Sequence, residues 1–198
     1  MKLNRGERWA VNNPWRPIQQ RWEIRWVKKW MSLKAGSVIL EVGCGRGAGA
    51  GIILKEFQPA LLQAMDLDGQ MIHLAKKYLS PEQVGKISFY VGDVVRLPYR
   101  NGALDAVFGF GVLHHVPDWA NALAEISRVL KPGGVFFLEE LYPWLYQNFL
   151  TRRILLHPAE HRFYSPDLKE ALAQNSFALE KFREIKSLGI FGFAVKAR

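Results

Sequence analysis

From residue 36 to residue 140 the chain alternates two hydrophobic rhythms. Continuous apolar runs at Val38–Val42, Leu61–Leu67, Ile87–Val91, Ala103–Phe110 and Val135–Glu139 read as short buried strands. Between them, Gly47–Phe57, Gly69–Leu79 and Trp119–Leu130 carry apolar residues at helical spacing. Strands that alternate with amphipathic helices predict βαβ units, hence a parallel sheet with right-handed crossovers and helices on both faces. Beyond residue 163 the rhythm changes. Ser165-Pro166 reads as an N-cap followed by Pro at the first helical position, opening a helix to about Gln174. The closing stretch FALEKFREIKSLGIFGFAVKAR reads as two strands joined near Leu188-Gly189, with the last strand antiparallel. The expected fold is a doubly wound α/β sheet of about seven strands, mostly parallel, with an antiparallel C-terminal hairpin.

Two segments stand outside this pattern and divide the chain into a 1–34 helical extension and a 35–198 domain with an insertion at 141–163. In the extension, Ile18, Trp22, Trp26 and Trp30 recur every four residues. This stripe predicts either a lid helix that buries its tryptophans on the domain or a helix lying in a membrane interface. In the insertion, Tyr142, Trp144, Leu145, Phe149, Leu150, Ile154, Leu155 and Leu156 form an apolar stretch that leaves the carboxyl end of the fifth strand. It reads as the lining of an apolar substrate pocket or as the roof of a small core.

Composition narrows the class. With 198 residues, 49% hydrophobic and 23% charged, the chain fits one globular domain. No apolar run is long enough to cross a membrane, and the start MKLNRGERWAVNNPW lacks the apolar core of a signal peptide. The single cysteine, Cys44, has no partner for an internal disulfide, which fits a reducing cytoplasm. The formal net charge is +9, and the first 34 residues hold nine cations against two carboxylates, so the basic character sits in the extension. That patch predicts an acidic partner such as an anionic membrane surface, nucleic acid or an anionic substrate.

The candidate chemistry starts at VILEVGCGRGAGAG, residues 38–51, where a strand runs into a loop with glycine at every second position. A strand, glycine-rich turn and helix form a nucleotide-cofactor site, and the missing Gly-Lys-Ser/Thr excludes a Walker A loop. Glu41 stands just ahead of Gly43. A carboxylate there repels a pyrophosphate by roughly 4 kcal/mol at ~4 Å and an effective dielectric of ~20, and attracts an ammonium or sulfonium instead. Its other reading is a capping residue turned away from the ligand. Asp66 ends the second strand, where such folds place an acid on ribose hydroxyls, and Asp93 ends the third, where it can accept from an exocyclic amine.

With LEVGCGRG, MDLDGQMI, VGDVVRLPY, LDAVFGFGVLHHVPD and EISRVLKPGGVFFLEE in this order, the chain resembles the class I S-adenosylmethionine-dependent methyltransferases, from about Ser37 to Glu139. The resemblance implies a Rossmann-like domain that binds S-adenosyl-L-methionine and releases S-adenosyl-L-homocysteine. It implies that Glu41, Gly43, Cys44, Gly45 and Gly47 surround the methionine end and that Asp66 binds the ribose. Leu67 and Met71 would flank the ribose and adenine. Gly92, Asp93 and Val94 would read the adenine edge, and Gly109 and Phe110 would present backbone near the methyl group. Asp68 is a weaker ribose candidate. His114 and His115 stand near the methyl end, either as a base for an acidic acceptor or as packing beside the cofactor. Tyr142, His161 and Tyr164 of the insertion are weaker candidates for that role, with aromatic packing as their other reading. Arg46 is read as a partner for the cofactor carboxylate or as a surface residue, and Lys131-Pro132-Gly133-Gly134 as a structural turn.

The expected function is methyl transfer to a small, apolar or lipid-like acceptor. The alternatives are a nicotinamide-dependent oxidoreductase, which GCGRGA and an acid 23 residues after Gly43 also fit, and a non-catalytic cofactor or lipid-surface module. FGFGVLHH lacks the Asn/Asp-Pro-Pro-aromatic stretch of amino-methylating nucleic-acid enzymes, so nucleic acid is not the expected partner. No metal site is assigned. The expected location is the cytoplasm, with peripheral contact at the inner membrane surface.

Overall fold

The computed structural model describes residues 13–146, 162–185 and 187–198. Strand β1 (Val38–Val42) leads into helix α2 (Ala48–Phe57), and β2 (Leu61–Asp66) into α3 (Gly69–Tyr78) and α4 (Pro81–Gly85), after helix α1 (Arg16–Val27) has opened the fold. Strand β3 (Ile87–Val91) is followed by β4 (Leu104–Phe110), a 3-10 turn at Leu113–His115, α5 (Trp119–Val129) and β5 (Leu130–Leu141). The chain closes with α6 (Pro143–Tyr146), α7 (Ser165–Gln174), β6 (Phe177–Ile185) and β7 (Gly189–Lys196). The sheet order is β3-β2-β1-β4-β5-β7-β6. Strands β1 to β5 run parallel, and β7 is antiparallel to both of its neighbours. The chain winds outward from β1 to β3 and then crosses back to β4. The carboxyl ends of β1 and β4 therefore bound the crevice where open sheets of this kind bind ligands.

Alternation along the strands supplies two cores. Leu40, Val42, Val107, Phe136 and Leu138 face α5 and α7. Ile39, Ala106, Phe108, Phe110 and Phe137 face α1 and α2. Three local details differ from the sequence reading. Strand β5 starts at Leu130, and Lys131-Pro132-Gly133-Gly134 is a bulge inside it: pairing jumps from Leu104↔Leu130 to Ala106↔Val135, with Gly133 at φ 75°. The cap of α7 is Tyr164 rather than Ser165, because the Asp167 carboxylate accepts from the Tyr164 amide at 2.8 Å. Helix α4, not expected, is opened by a reciprocal Ser80–Gln83 capping box.

The tryptophan stripe is buried only in part, at Trp26, which packs against the α1–α2 side of the core. Helix α1 packs through Gln20, Glu23, Ile24 and Val27, while Ile18, Trp22 and Trp30 are more than half exposed. The physical reason is the polar content of the buried face. Residues 20, 23, 24 and 27 have ideal helical spacing, but Gln20 and Glu23 disguise it. Glu23 is drawn in by a polar cluster that anchors the helix, while Gln20 Oε1 is buried without a hydrogen-bond partner. The Arg16 guanidinium forks onto Glu139 of β5, with Nη2–Oε2 at 2.7 Å, and also donates to the Phe110 carbonyl. Gln19 donates to Glu23 at 2.8 Å and to Glu139 at 3.3 Å.

Of the insertion, Tyr142 is fully buried and its hydroxyl donates to Glu184, Phe163 packs on the Trp119 ring at 4.7 Å, and Trp144 and Tyr164 are exposed. Thus the two ends of the insertion are core and surface, not substrate wall. Phe149, Leu150, Ile154, Leu155, Leu156 and His161 lie outside the described residues, and nothing describes the Leu145 side chain.

Burial, and then the nearby Glu139 charge, push the Glu23 carboxyl up to about 8 against the pull of Gln19 and Arg16. A carboxyl raised on folding favours the native state below its ordinary value near 4.5, and that contribution is lost as pH rises toward about 8. Glu23→Gln is therefore expected to raise the melting temperature more at about pH 9 than at about pH 5. An equal shift at both values, in thermal scans by circular dichroism, would show that Glu23 is not protonated on folding.

Candidate functional site

The glycine loop between β1 and α2 is held in shape by backbone bonds. The Cys44 amide donates to the Met65 carbonyl at 2.8 Å, and the Gly45 amide to Asp66 Oδ2 at 2.9 Å. The other Asp66 oxygen accepts from the Asp68 amide at 2.9 Å, so one carboxylate ties the loop to the end of β2. Burial raises the Asp66 pKa, and these two amides oppose the rise. Gly43 needs its hydrogen for space as well as for φ 64°: a Cβ there would lie 2.6 Å from Val112 Cγ2. Asp68 caps α3 by accepting from the Gln70 amide at 3.0 Å, an ordinary turn role.

Glu41 is buried under the first turn of α2, whose cap, Gly47, has no side chain. One Glu41 oxygen accepts from the Ala50 amide, and Oε2 is buried with no hydrogen-bond partner. Gly49 makes this possible, since a Cβ there would overlap Glu41 Oε1 and approach Phe110 to 2.8 Å. Burial, and then the Asp66 charge, hold the Glu41 carboxyl well above its usual range. The Cys44 thiol is pushed up by the same burial and by Glu41 and Asp66, so it stays protonated and is no nucleophile.

A cavity of about 250 Å³ opens where the ends of β1 to β4 converge. Gly43 and Gly45, Met65 to Leu67, Gly92 to Val95, and Phe110 to Val112 form its walls, closed by His115 to Asp118. Of the expected site residues, Gly43, Gly45, Asp66, Leu67, Gly92, Asp93, Val94, Phe110 and His115 meet there. Glu41, Cys44, Gly47, Met71, Gly109 and His114 lie behind the walls. Met71 is core and Gly47 caps α2. Arg46 lies over the Tyr78 ring at 4.8 Å and donates to the Asn13 carbonyl. Among the described residues that line the cavity there are three aspartates, Asp66, Asp93 and Asp118, and no Lys or Arg. Such a lining favours a cation over a polyanion. With the unpartnered Glu41 oxygen behind it, the donor set fits the sulfonium and adenosine of S-adenosylmethionine.

Sequence alone does not show what puts His114 and His115 on different sides of the cavity wall. Glu140, fully buried on β5, accepts from the amides of Val112, Leu113 and His114 at 3.2, 2.9 and 3.2 Å. His114 Nδ1 donates to the same carboxylate at 2.7 Å. His114 is thereby fixed behind the wall, its ring tilted by 39° against that of His115 with centroids 4.3 Å apart, and His115 faces the cavity. The neighbouring Glu139 takes Arg16 on the other face of the sheet. Gly111 lies between the two, where a Cβ would stand 3.2 Å from Arg16 Nη2 and 3.3 Å from His114 Cε1. The signal for these acids was present: two consecutive carboxylates inside a buried strand need partners on both faces.

Glu140→Ala is expected to lower stability by about 3 kcal/mol, since it strands three buried amides and an imidazole, and Glu140→Gln by less. Urea denaturation measures both. A loss below about 1 kcal/mol for Glu140→Ala would mean that the turn finds other acceptors.

A family described as "Methyltransferase domain" matches residues 40–138, half of the chain. Sterol 24-C-methyltransferase of Aspergillus fumigatus is 37% identical over 116 residues, which cover 58% of this chain and 30% of that protein. Fatty-acid O-methyltransferase of Mycolicibacterium smegmatis is 33% identical over 108 residues, 54% of this chain and 38% of that one. The chain thus spans a little over a third, or less, of the length of these relatives. In fold, the structure of a SAM-dependent methyltransferase from Aquifex aeolicus superposes with a TM-score of 0.76 at 15% identity, over 98% of this chain and 99% of that chain.

Proposed function

This chain belongs to the methyltransferase domain family of class I S-adenosylmethionine-dependent proteins, and on that premise we propose that it transfers a methyl group to a lipid-like acceptor at an anionic membrane surface. The observation that carries the cofactor assignment is the cavity with three aspartates and no lining Lys or Arg among the described residues. When bound, S-adenosylmethionine supplies an electrophilic methyl on a sulfonium.

The residues have separate roles. Asp66 accepts from the ribose hydroxyls while its two amide partners keep it oriented. Asp93 and the Val94 amide address the adenine edge, and Leu67 packs against the nucleoside. The Gly43–Gly47 loop lets backbone approach the methionine end, and buried Glu41 caps α2 behind it. At the other end Phe110, Val112, Val116 and Pro117 exclude water and align an apolar acceptor. His115, on the wall, takes the proton when the acceptor is a hydroxyl or an acidic carbon, and His114, held by Glu140, fixes its place. The lipid-like acceptor is supported by the sterol and fatty-acid names of the relatives and by this apolar wall. No helix among the described residues is long and apolar enough to cross a membrane, so contact with lipid is peripheral in this proposal.

Isothermal titration is expected to show S-adenosylhomocysteine binding and no NAD binding. The reverse would establish the oxidoreductase reading. Asp66→Ala is expected to weaken S-adenosylhomocysteine by roughly 1–3 kcal/mol, and unchanged affinity would refute the ribose assignment. With labelled S-adenosylmethionine, label should pass to a lipid extract and His115→Ala should slow the transfer. Binding without transfer to any fraction would favour a non-catalytic module.

A further inference from the structure

We infer that the outward face of α1, with the β6–β7 hairpin beside it, docks on an anionic lipid bilayer and presents the carboxyl ends of β4 and β5 to it. This deepens the lipid-acceptor proposal and rests on it for its purpose, though the docking itself is measured without catalysis.

The face opposite the buried side of α1 is apolar and basic together. Trp15, Ile18 and Trp22 are 73, 58 and 51% exposed, and Arg21 and Arg25 flank them on the same side. The hairpin extends this surface. Phe191 of β7 meets the Trp22 and Trp26 rings edge-on, with centroids 5.5 and 5.4 Å away. Arg183 lies over both rings at 5.9 and 5.3 Å, and Lys181 lies over Trp30 at 5.0 Å. Two residues on from Arg183, and so on the same face, Ile185 is 61% exposed. Cations stacked on half-exposed indoles keep their charge outward while their stems and the rings remain apolar. Large exposed aromatic and aliphatic side chains in a ring of cations match the boundary between acyl chains and acidic headgroups.

The orientation follows from the anchor of α1. Arg16 binds Glu139 and the Phe110 carbonyl, so the Trp15–Ile18 end of the helix lies at the carboxyl ends of β4 and β5. Ile185 pairs with Gly189, which also pairs with Leu141 at the end of β5. The exposed Trp144 follows directly. The apolar end of the docking face is therefore the end at which the cavity opens. An acceptor rising from a bilayer would meet the wall that carries His115.

The test uses the whole chain with vesicles of phosphatidylcholine alone or mixed with phosphatidylglycerol. Sedimentation is expected with the mixed vesicles and not with phosphatidylcholine, and added salt should weaken it. The double variant Ile18→Asp/Arg21→Glu should bind the mixed vesicles at least about tenfold less, with its melting temperature and S-adenosylhomocysteine affinity unchanged. Brominated phosphatidylcholine in the mixed vesicles should quench the tryptophan emission of the unaltered chain, a readout that needs no variant. Absence of sedimentation, equal binding to both vesicles, unaltered binding by the variant or absence of quenching would each overturn the docking face. Failure of S-adenosylhomocysteine to bind without vesicles would instead overturn the methyltransferase reading and leave a measured docking intact.

Discussion

Glu139 and Glu140 are consecutive on β5, so the pleat sends their side chains to opposite faces of the sheet. On one face Arg16 of α1 forks onto Glu139, and on the other the turn after β4 donates three amides and an imidazole to Glu140. Both clamps close around Gly111, whose backbone continues the cavity wall. Each carboxylate is buried and costs several kcal/mol unless it is paired, so neither the helix nor the turn can leave without stranding a charge. The N-terminal helix and the His114–His115 turn are thus fixed by one dipeptide. The crevice inherits its rigidity from them.

The same logic of buried acids runs through the nucleotide side. Asp66 ties the glycine loop to the end of β2, while Glu41 caps α2 from beneath. Of the two sequence readings of Glu41, the structure shows the capping one: its carboxyl accepts from the Ala50 amide, and Oε2 is buried without a hydrogen-bond partner. Burial favours its neutral form, so Asp66, Asp93 and Asp118 supply the negative character of the lining.

Much of this was legible because the fold is locally consistent. The strands at Val38–Val42 and Ile87–Val91 were read to the residue, and the glycine loop and Asp66 and Asp93 were placed by their position at strand ends. What the sequence concealed depends on partners far along the chain. The buried side of α1 is half polar, and it is held there by the pairing of residue 16 with residue 139 and by the bonds of Gln19 to Glu23 and Glu139. The Trp stripe reads as a core face or a membrane face as long as hydrophobicity is weighed without these polar partners. The role of Glu140 is likewise set by residues 26 to 28 positions away. In the sequence KPGG reads as a turn, since glycine and proline mark turns and bulges alike, and only the register with β4 separates them.

The placement of β7 has a consequence for how the chain is made. β7, synthesised after both of its sheet neighbours, is inserted between β5 and β6, where it buries Ile190, Phe193 and Ala194. Until residues 189–196 leave the ribosome, β5 keeps an open hydrogen-bonding edge and β6 has no neighbour in the sheet. At about 5–20 residues per second β7 follows β6 quickly, but the nascent chain must pass through a stage with a sticky, unfinished border. Slow translation or early termination within residues 189–196 would leave that border exposed to other chains, which makes their codons sensitive ones for yield.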